Sequence, residues 1–198
     1  MAKIKHTKNE LKTQRDALKR FRRYLPTLQL KKQQLQMELR LLEHRIEAKA
    51  AEEKALREDL TSWIQLLSEP VDLSAYLHLH EIKTATGNIA GVNIPVLKEV
   101  VMERLTPDLS ATPPWVDDGL DAVARLLHLR VERGILLEEH RLLAHELRVT
   151  SQRVNLFEKI KIPEARENIR VIRIFLGDAQ TAQVARAKIA KKKTEAAS

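Results

Sequence analysis

The sequence of 198 residues contains no cysteine. Disulfides, thiolate metal ligands and a cysteine nucleophile are therefore excluded. Aromatics are nearly as scarce: two Trp, two Tyr and three Phe cannot fill a thick globular core. No apolar run approaches the roughly 20 residues needed to span a bilayer. The opening Met-Ala-Lys-Ile-Lys-His lacks the apolar stretch of a secretory signal. A cytoplasmic location is expected, with membrane contact only through partners.

Leu, Ala, Glu, Lys, Arg and Gln, all strong helix formers, supply most of the chain. The net charge of +8 is unevenly spread. Residues 1–32 carry +9 (11 basic, 2 acidic), residues 33–68 carry −2, residues 69–121 carry −6 and residues 122–198 carry +7. Both ends are basic and the middle is acidic.

Thr7-Lys-Asn-Glu10 reads as a capping box, with the Thr7 hydroxyl and the Glu10 carboxylate closing the first turn of a helix reciprocally. From there runs a 3,4-spaced series: Leu11, Gln14, Leu18, Phe21, Leu25, Leu28, Lys32, Leu35, Leu39, Leu42, Ile46, Lys49, Glu53, Leu56, Leu60, Trp63 and Leu67. Such a seven-residue period, held over eight heptads, predicts a coiled-coil seam, because a straight helix would drift off the stripe. A second helical stretch is predicted from 115 to 193, broken only by Pro163. Its seam begins with Val116, Leu120, Val123 and Leu127 and is interrupted by polar residues at Arg130 to Arg133. It resumes with Leu136, Leu143, Leu147, Val154 and Phe157, then Ile169, Val171, Ile172, Phe175, Ala182, Ala185 and Ile189.

One chain buries both stripes by folding back on itself. The pairing then joins residues whose numbers add to roughly 185. In that register Lys49 and Glu53 face Arg130, Arg133 and Gly134, and Pro26 lies near the level of Pro163, where two bends would curve both strands together.

Residues 68–114 change character, with five prolines and a period of two. Tyr76 to Thr84 alternates as a strand, Ile89 to Ile94 is a partner across a Gly87-Asn88 turn, and a short helix is expected near Val96 to Arg104. The fold expected is mainly α: a long antiparallel two-helix coiled coil with a small β-hairpin-containing cap. Its parts are a shaft helix at 1–67, a β-hairpin and short-helix cap at 68–114, a second shaft helix at 115–193 and a disordered tail at 194–198. The cap is expected as a knob at the turn-around end.

Several stretches resemble the D subunit of the V/A-type ATPases, the central rotor shaft. They are Thr7-Lys8 with Glu10-Leu11, Leu28-Gln-Leu-Lys-Lys-Gln-Gln-Leu35, and Asn88-Ile-Ala-Gly-Val-Asn-Ile-Pro95. The most specific runs from Gln152-Arg-Val-Asn-Leu-Phe157 through Ile162-Pro163 to Ile169-Arg170 and Ile172-Arg173. The match touches both helices and the middle; Pro26 departs from the family's usual pattern. The resemblance implies a non-catalytic axle that transmits torque between an ion-translocating membrane rotor and a ring of catalytic A and B subunits. It implies as partners the F subunit, the A and B subunits and a membrane-rotor adaptor of C/d type, with no cofactor.

The basic ends fit the upper shaft, where Lys3, Lys5, Lys8, Lys12, Arg15 and Lys19 would share one end with Arg186, Lys188 and Lys191 and meet acidic loops of the catalytic ring. For any single one of these cations, a solvated helix face is the simpler reading. His78-x-His80 puts two imidazoles on one strand face without a third ligand. Gly87 and Gly91 lack the context of a phosphate loop, and Glu52-Glu53 and Glu138-Glu139-His140 read as solvated helix faces. No catalytic or metal site is expected. The rival functions are a nucleic-acid-binding coiled-coil arm, which the pI near 9.8 allows but the few aromatics support poorly, and a coiled-coil scaffold. The F subunit is expected along residues 40–60 and 130–150.

Overall fold

A computed structural model describes residues 4–61, 69, 71–108 and 112–196. Helix α1 spans Lys8–Thr61, strand β1 Leu77–Ile89, strand β2 Val92–Arg104 and helix α2 Trp115–Leu156. A π-helical segment, Phe157–Lys161, leads directly into helix α3, Ile162–Ala196. The chain divides into two units, one of residues 1–32 with 149–198 and the other of residues 33–148.

In the first unit, α1 starts where the capping signal predicts. The Glu10 amide donates to Thr7 Oγ1 at 3.2 Å, and the Leu11 amide donates to the Thr7 carbonyl at 3.0 Å. The reciprocal half of the box is not made. The Glu10 carboxylate accepts instead from Gln14 Nε2 at 2.8 Å, and Gln14 in turn accepts from Asn168 at 3.4 Å. Phe21 and Phe157 stack tilted, with centroids 5.1 Å apart, and His6 meets Phe175 at 4.8 Å. These pairs set an antiparallel register in which Pro163 lies beside Glu10 and Gln14, lining a common cavity with them. Pro26 lies on the far side of Phe21 from that cavity, so the two prolines are not level.

The inward row of the C-terminal strand is Val154, Phe157, Ile162, Ala165, Ile169 and Ile172. The step from Phe157 to Ile162 is five residues, and the Ile162 amide donates to the Phe157 carbonyl across it. A π segment adds one residue to a helical turn, so every later position rotates by one place. An unbroken heptad would bring Val171 and Phe175 inward; they are instead 36% and 49% exposed, while Ile172 is fully buried. Beyond Ile172 the expected stripe is not covered. From Arg173 to Glu195 only Leu176 and Ala179 are half-buried. Helix α3 nonetheless continues to Ala196, past the expected end at Lys193.

In the second unit, β1 and β2 form an antiparallel hairpin with Leu77 opposite Arg104 and Ile89 opposite Val92. The connection is Ala90-Gly91, with φ of 50° and 78°, rather than the expected Gly87-Asn88. Two consecutive positive φ values give the turn the twist that a two-residue hairpin needs. Asn88 supports it, accepting from the Gly91 amide at 3.1 Å and donating to Asn93 Oδ1 at 2.9 Å. The helix expected near Val96 to Arg104 is the second half of β2. Val96, Val100 and Val101 favour a pleated strand, and each finds a partner on β1. Gly87 serves a close approach: a Cβ there would lie 2.8 Å from Val96 Cγ2.

The hairpin is not a terminal knob. Its tip, with Ile94 buried and Ile89, Ala90 and Val92 partly so, packs on Leu35, Leu39 and Leu42 of α1 and on Leu136 and Leu143 of α2. Its root is tied to the start of α2, where Arg104 forms ion pairs with Asp117 and Asp121. The 13 residues of each strand reach about 40 Å. The run of helix from Asp117 to Leu143 covers about the same length. An isolated two-stranded hairpin is marginal in water. Seating the tip on the helix pair covers Ile94 and its neighbours, while Leu79, Ile82 and Val96 farther along stay 43%, 41% and 39% exposed.

Candidate interaction surfaces

Every position of the N-terminal seam among the described residues is buried or half-buried, from Leu11, Leu18, Phe21, Leu25 and Leu28 through Leu35, Leu39, Leu42 and Ile46 to Leu60. The predicted seam positions Trp63 and Leu67 lie outside the described residues.

Where the seam turns polar, a charged layer joins α1 to α2. Glu53 is buried, at 6% exposure. It accepts from Arg57 Nη2 at 2.6 Å, Arg133 Nη1 at 2.9 Å and Arg130 Nε at 3.3 Å. Burial alone would push this carboxyl up. The hydrogen bonds of Arg133 and Arg130 and the charge of Arg57 outweigh it, and the group lies below the usual carboxylate range. One turn away Lys49 bridges Glu52 at 3.0 Å and Glu132 at 3.3 Å. Farther along, His140 contacts Glu43 at 3.3 Å. Glu139 is 5% exposed and its carboxyl is pushed up by burial, against the opposing charge of Arg45. The pairing register sets Glu53 against Arg130 and Arg133, as found, whereas the reading of Glu53 and Glu139 as solvated helix faces fails, since both are inside.

The basic residues expected at the shaft end are spread out. Lys3 lies outside the described residues. Lys5, Lys8, Lys12, Arg15 and Lys19 are exposed on or just before α1. Arg186, Lys188 and Lys191 are exposed on the part of α3 beyond Phe175. His6 already stands against Phe175, so these three lie past the start of α1 and not beside its lysines. Arg15 and Lys19 do converge with Arg22, Arg166 and Arg173 on a cavity of 460 Å³ floored by Leu18 and Ile169. Sequence reasoning misses Arg166 and Arg173, although they flank Ile169 at helical spacing.

On the hairpin, His80 Nε2 pairs with Glu103 at 2.6 Å and Lys83 with Glu99 at 2.9 Å. Among the described residues no three His, Asp or Glu side chains are placed to hold a metal ion, and no helix is long and apolar enough to cross a membrane. What the geometry offers is a set of charged and apolar surfaces on paired helices.

The profile of the ATP synthase D subunit family matches residues 10–192. A V-type ATP synthase D subunit of Borreliella burgdorferi is 48% identical over 191 residues, covering 96% of this chain and 95% of that protein. The V-type ATP synthase D subunit of Chlamydia muridarum is 37% identical over 198 residues, covering 98% and 97%, and that of Chlamydia abortus is 34% identical, covering 98% and 95%. These matches span both helices and the hairpin between them, and with them the chain belongs to the ATP synthase D subunit family.

Proposed function

We infer that this chain is the central stalk subunit of a V-type ATP synthase, a non-catalytic rotor. It transmits torque between an ion-translocating membrane rotor and the catalytic A and B subunits, so that ATP is made from ADP and phosphate at the expense of an ion gradient, or the reverse. The observation that carries this reading is full-length similarity to the D subunits of V-type ATP synthases together with an interlocked antiparallel helix pair in each unit. Paired helices with meshed seams resist bending better than a single helix held only by local bonds. The F subunit, the A and B subunits and a C/d-type adaptor are the partners this role requires, on the cytoplasmic face of the membrane.

The basic residues of α1, Lys5, Lys8, Lys12, Arg15 and Lys19, support contact with acidic surfaces of the catalytic ring. Nucleic-acid binding has no comparable support, since Phe21 is engaged with Phe157 and is not free to stack on bases. The test is co-expression with the F, A and B subunits, followed by gel filtration and an ATPase assay coupled to rotation. Co-elution and coupled turnover are expected. A chain that elutes free of all three would overturn the assignment.

A further inference from the structure

The charged layer around Glu53 is unbalanced. Three guanidinium groups, Arg57, Arg130 and Arg133, surround a single carboxylate. The neighbouring acids are engaged elsewhere: Glu52 and Glu132 on Lys49, and Glu58 on Lys54 at 3.6 Å. Glu53 lies beneath the arginines, with a side chain 7% exposed, while theirs are 40–56% exposed. The buried carboxylate thus fixes three cations whose side chains otherwise stand 40–56% open at the surface. Arg133 Nε carries a second sign of incompleteness, being buried without a hydrogen-bond partner. A buried N–H left unmet is costly and rare in finished structures.

The arginines open onto a cavity of 320 Å³ whose other walls are Gly134 and Leu137. Nothing stands within 4 Å of where a Gly134 side chain would be, so another backbone can approach α2 closely there. Leu137, one turn on, is 47% exposed. An inorganic anion would satisfy the arginines and leave this leucine wet. A protein segment carrying a carboxylate and an aliphatic side chain about one turn apart would satisfy both.

We propose that Arg57, Arg130 and Arg133 form a socket for an acidic side chain of a neighbouring protein subunit, presented beside an aliphatic residue that covers Leu137. This rests on the stalk reading given above. Arginine suits the task because its planar fork binds a carboxylate through two parallel hydrogen bonds while Glu53 holds the fork in place.

The test titrates the purified chain with each other soluble subunit of the complex in turn, comparing wild type with the double variant Arg130→Gln/Arg133→Gln and with Leu137→Glu. The last sets a carboxylate four residues after Arg133, where it can fill the socket from within. For one subunit, both variants are expected to bind at least about tenfold more weakly. The salt dependence of binding should also flatten. If the double variant loses helicity by circular dichroism, Leu137→Glu decides alone, since Leu137 is at the surface. Wild-type binding that both variants retain within about twofold overturns the socket and leaves the stalk assignment standing. Failure of the wild type to bind any subunit overturns both. A third arm adds inorganic phosphate: if it stabilises the wild type but not the double variant, while subunit binding is unchanged in both variants, the site takes a small anion and the proposal is wrong.

Discussion

Phe157 stacks on Phe21 with ring centroids 5.1 Å apart, and the next inward side chain along its strand is Ile162, five residues later. The π segment between them absorbs one residue and resets the phase of all of α3. Deleting Lys159 should therefore convert this segment to ordinary α-helix while keeping Ile162, Ala165, Ile169 and Ile172 inward, with a small loss of stability. Deleting Arg166 instead rotates Ile169 and Ile172 out of the seam. Burying each such side chain is worth about 1.5–3 kcal/mol, so this variant should melt roughly 10 °C lower. Thermal melts of the two deletions, followed by circular dichroism, separate a phase reset from a tolerant surface.

Glu53 makes stability depend on acid. Its folded pKa lies below the ordinary carboxylate value, although burial opposes this, because Arg133, Arg130 and Arg57 favour the charged form. A depressed carboxylate contributes stability above its unfolded value and loses it as pH falls through the folded one. Wild type should therefore melt higher than Glu53→Gln at neutral pH, and the gap should close as pH is lowered from about 6 to about 3. Melting curves of both proteins across that range check this. A gap that stays constant would mean that the carboxylate acts through packing alone.

Much of this is legible along the chain, for identifiable reasons. The seam of α1 can be read because seven-residue spacing admits few alternatives over so many turns. The polar layer can be read because Lys49 and Glu53 interrupt the stripe just where Arg130 and Arg133 interrupt the other. The reset at Phe157 cannot, since nothing in Phe157-Glu-Lys-Ile-Lys161 distinguishes an i−5 turn from an i−4 turn; the visible signal, Pro163, points to a bend. Nor can the hairpin turn, because Ala90 adopts a positive φ that alanine rarely takes, while Gly87-Asn88 nearby looks like better turn chemistry. That the hairpin tip seats on the helices depends on Ile94 joining Leu39 and Leu143 in one buried cluster drawn from distant parts of the chain. The socket is hidden for a related reason. It is made by what remains after Glu53 has been satisfied, and only geometry shows a remainder.

Glu139 should behave in the opposite sense to Glu53. Burial raises its pKa, and the opposing charge of Arg45 does not compensate. A carboxyl with a raised folded pKa leaves the protein most stable below its unfolded value, and the cost grows as pH rises through the folded one. Glu139→Gln should thus raise the melting temperature at neutral pH. The benefit should vanish in acid. Arg45→Ala should lower stability at neutral pH by removing the positive charge that opposes the burial of Glu139, and should do little once Glu139→Gln has removed the carboxylate. Melting curves of the two single variants and the double variant, at neutral and acid pH, check both statements.

The hairpin offers a test of packing that avoids charge altogether. Gly87 lies under Val96, and a Cβ there would come to 2.8 Å from Val96 Cγ2, closer than two carbons tolerate. Gly87→Ala should therefore cost about 1–3 kcal/mol, as overpacking does. Val96→Ala removes the clashing methyl groups, so the double variant should be more stable than the sum of the two single changes predicts. A double-mutant cycle by urea denaturation measures this coupling. If the hairpin tip is held on Leu39 and Leu143 through Ile94, Gly87→Ala should also loosen the helix pair there, seen as faster amide exchange at Leu39 and Leu143. Additive single effects with unchanged exchange would mean that the strand yields locally and the tip is not rigidly seated.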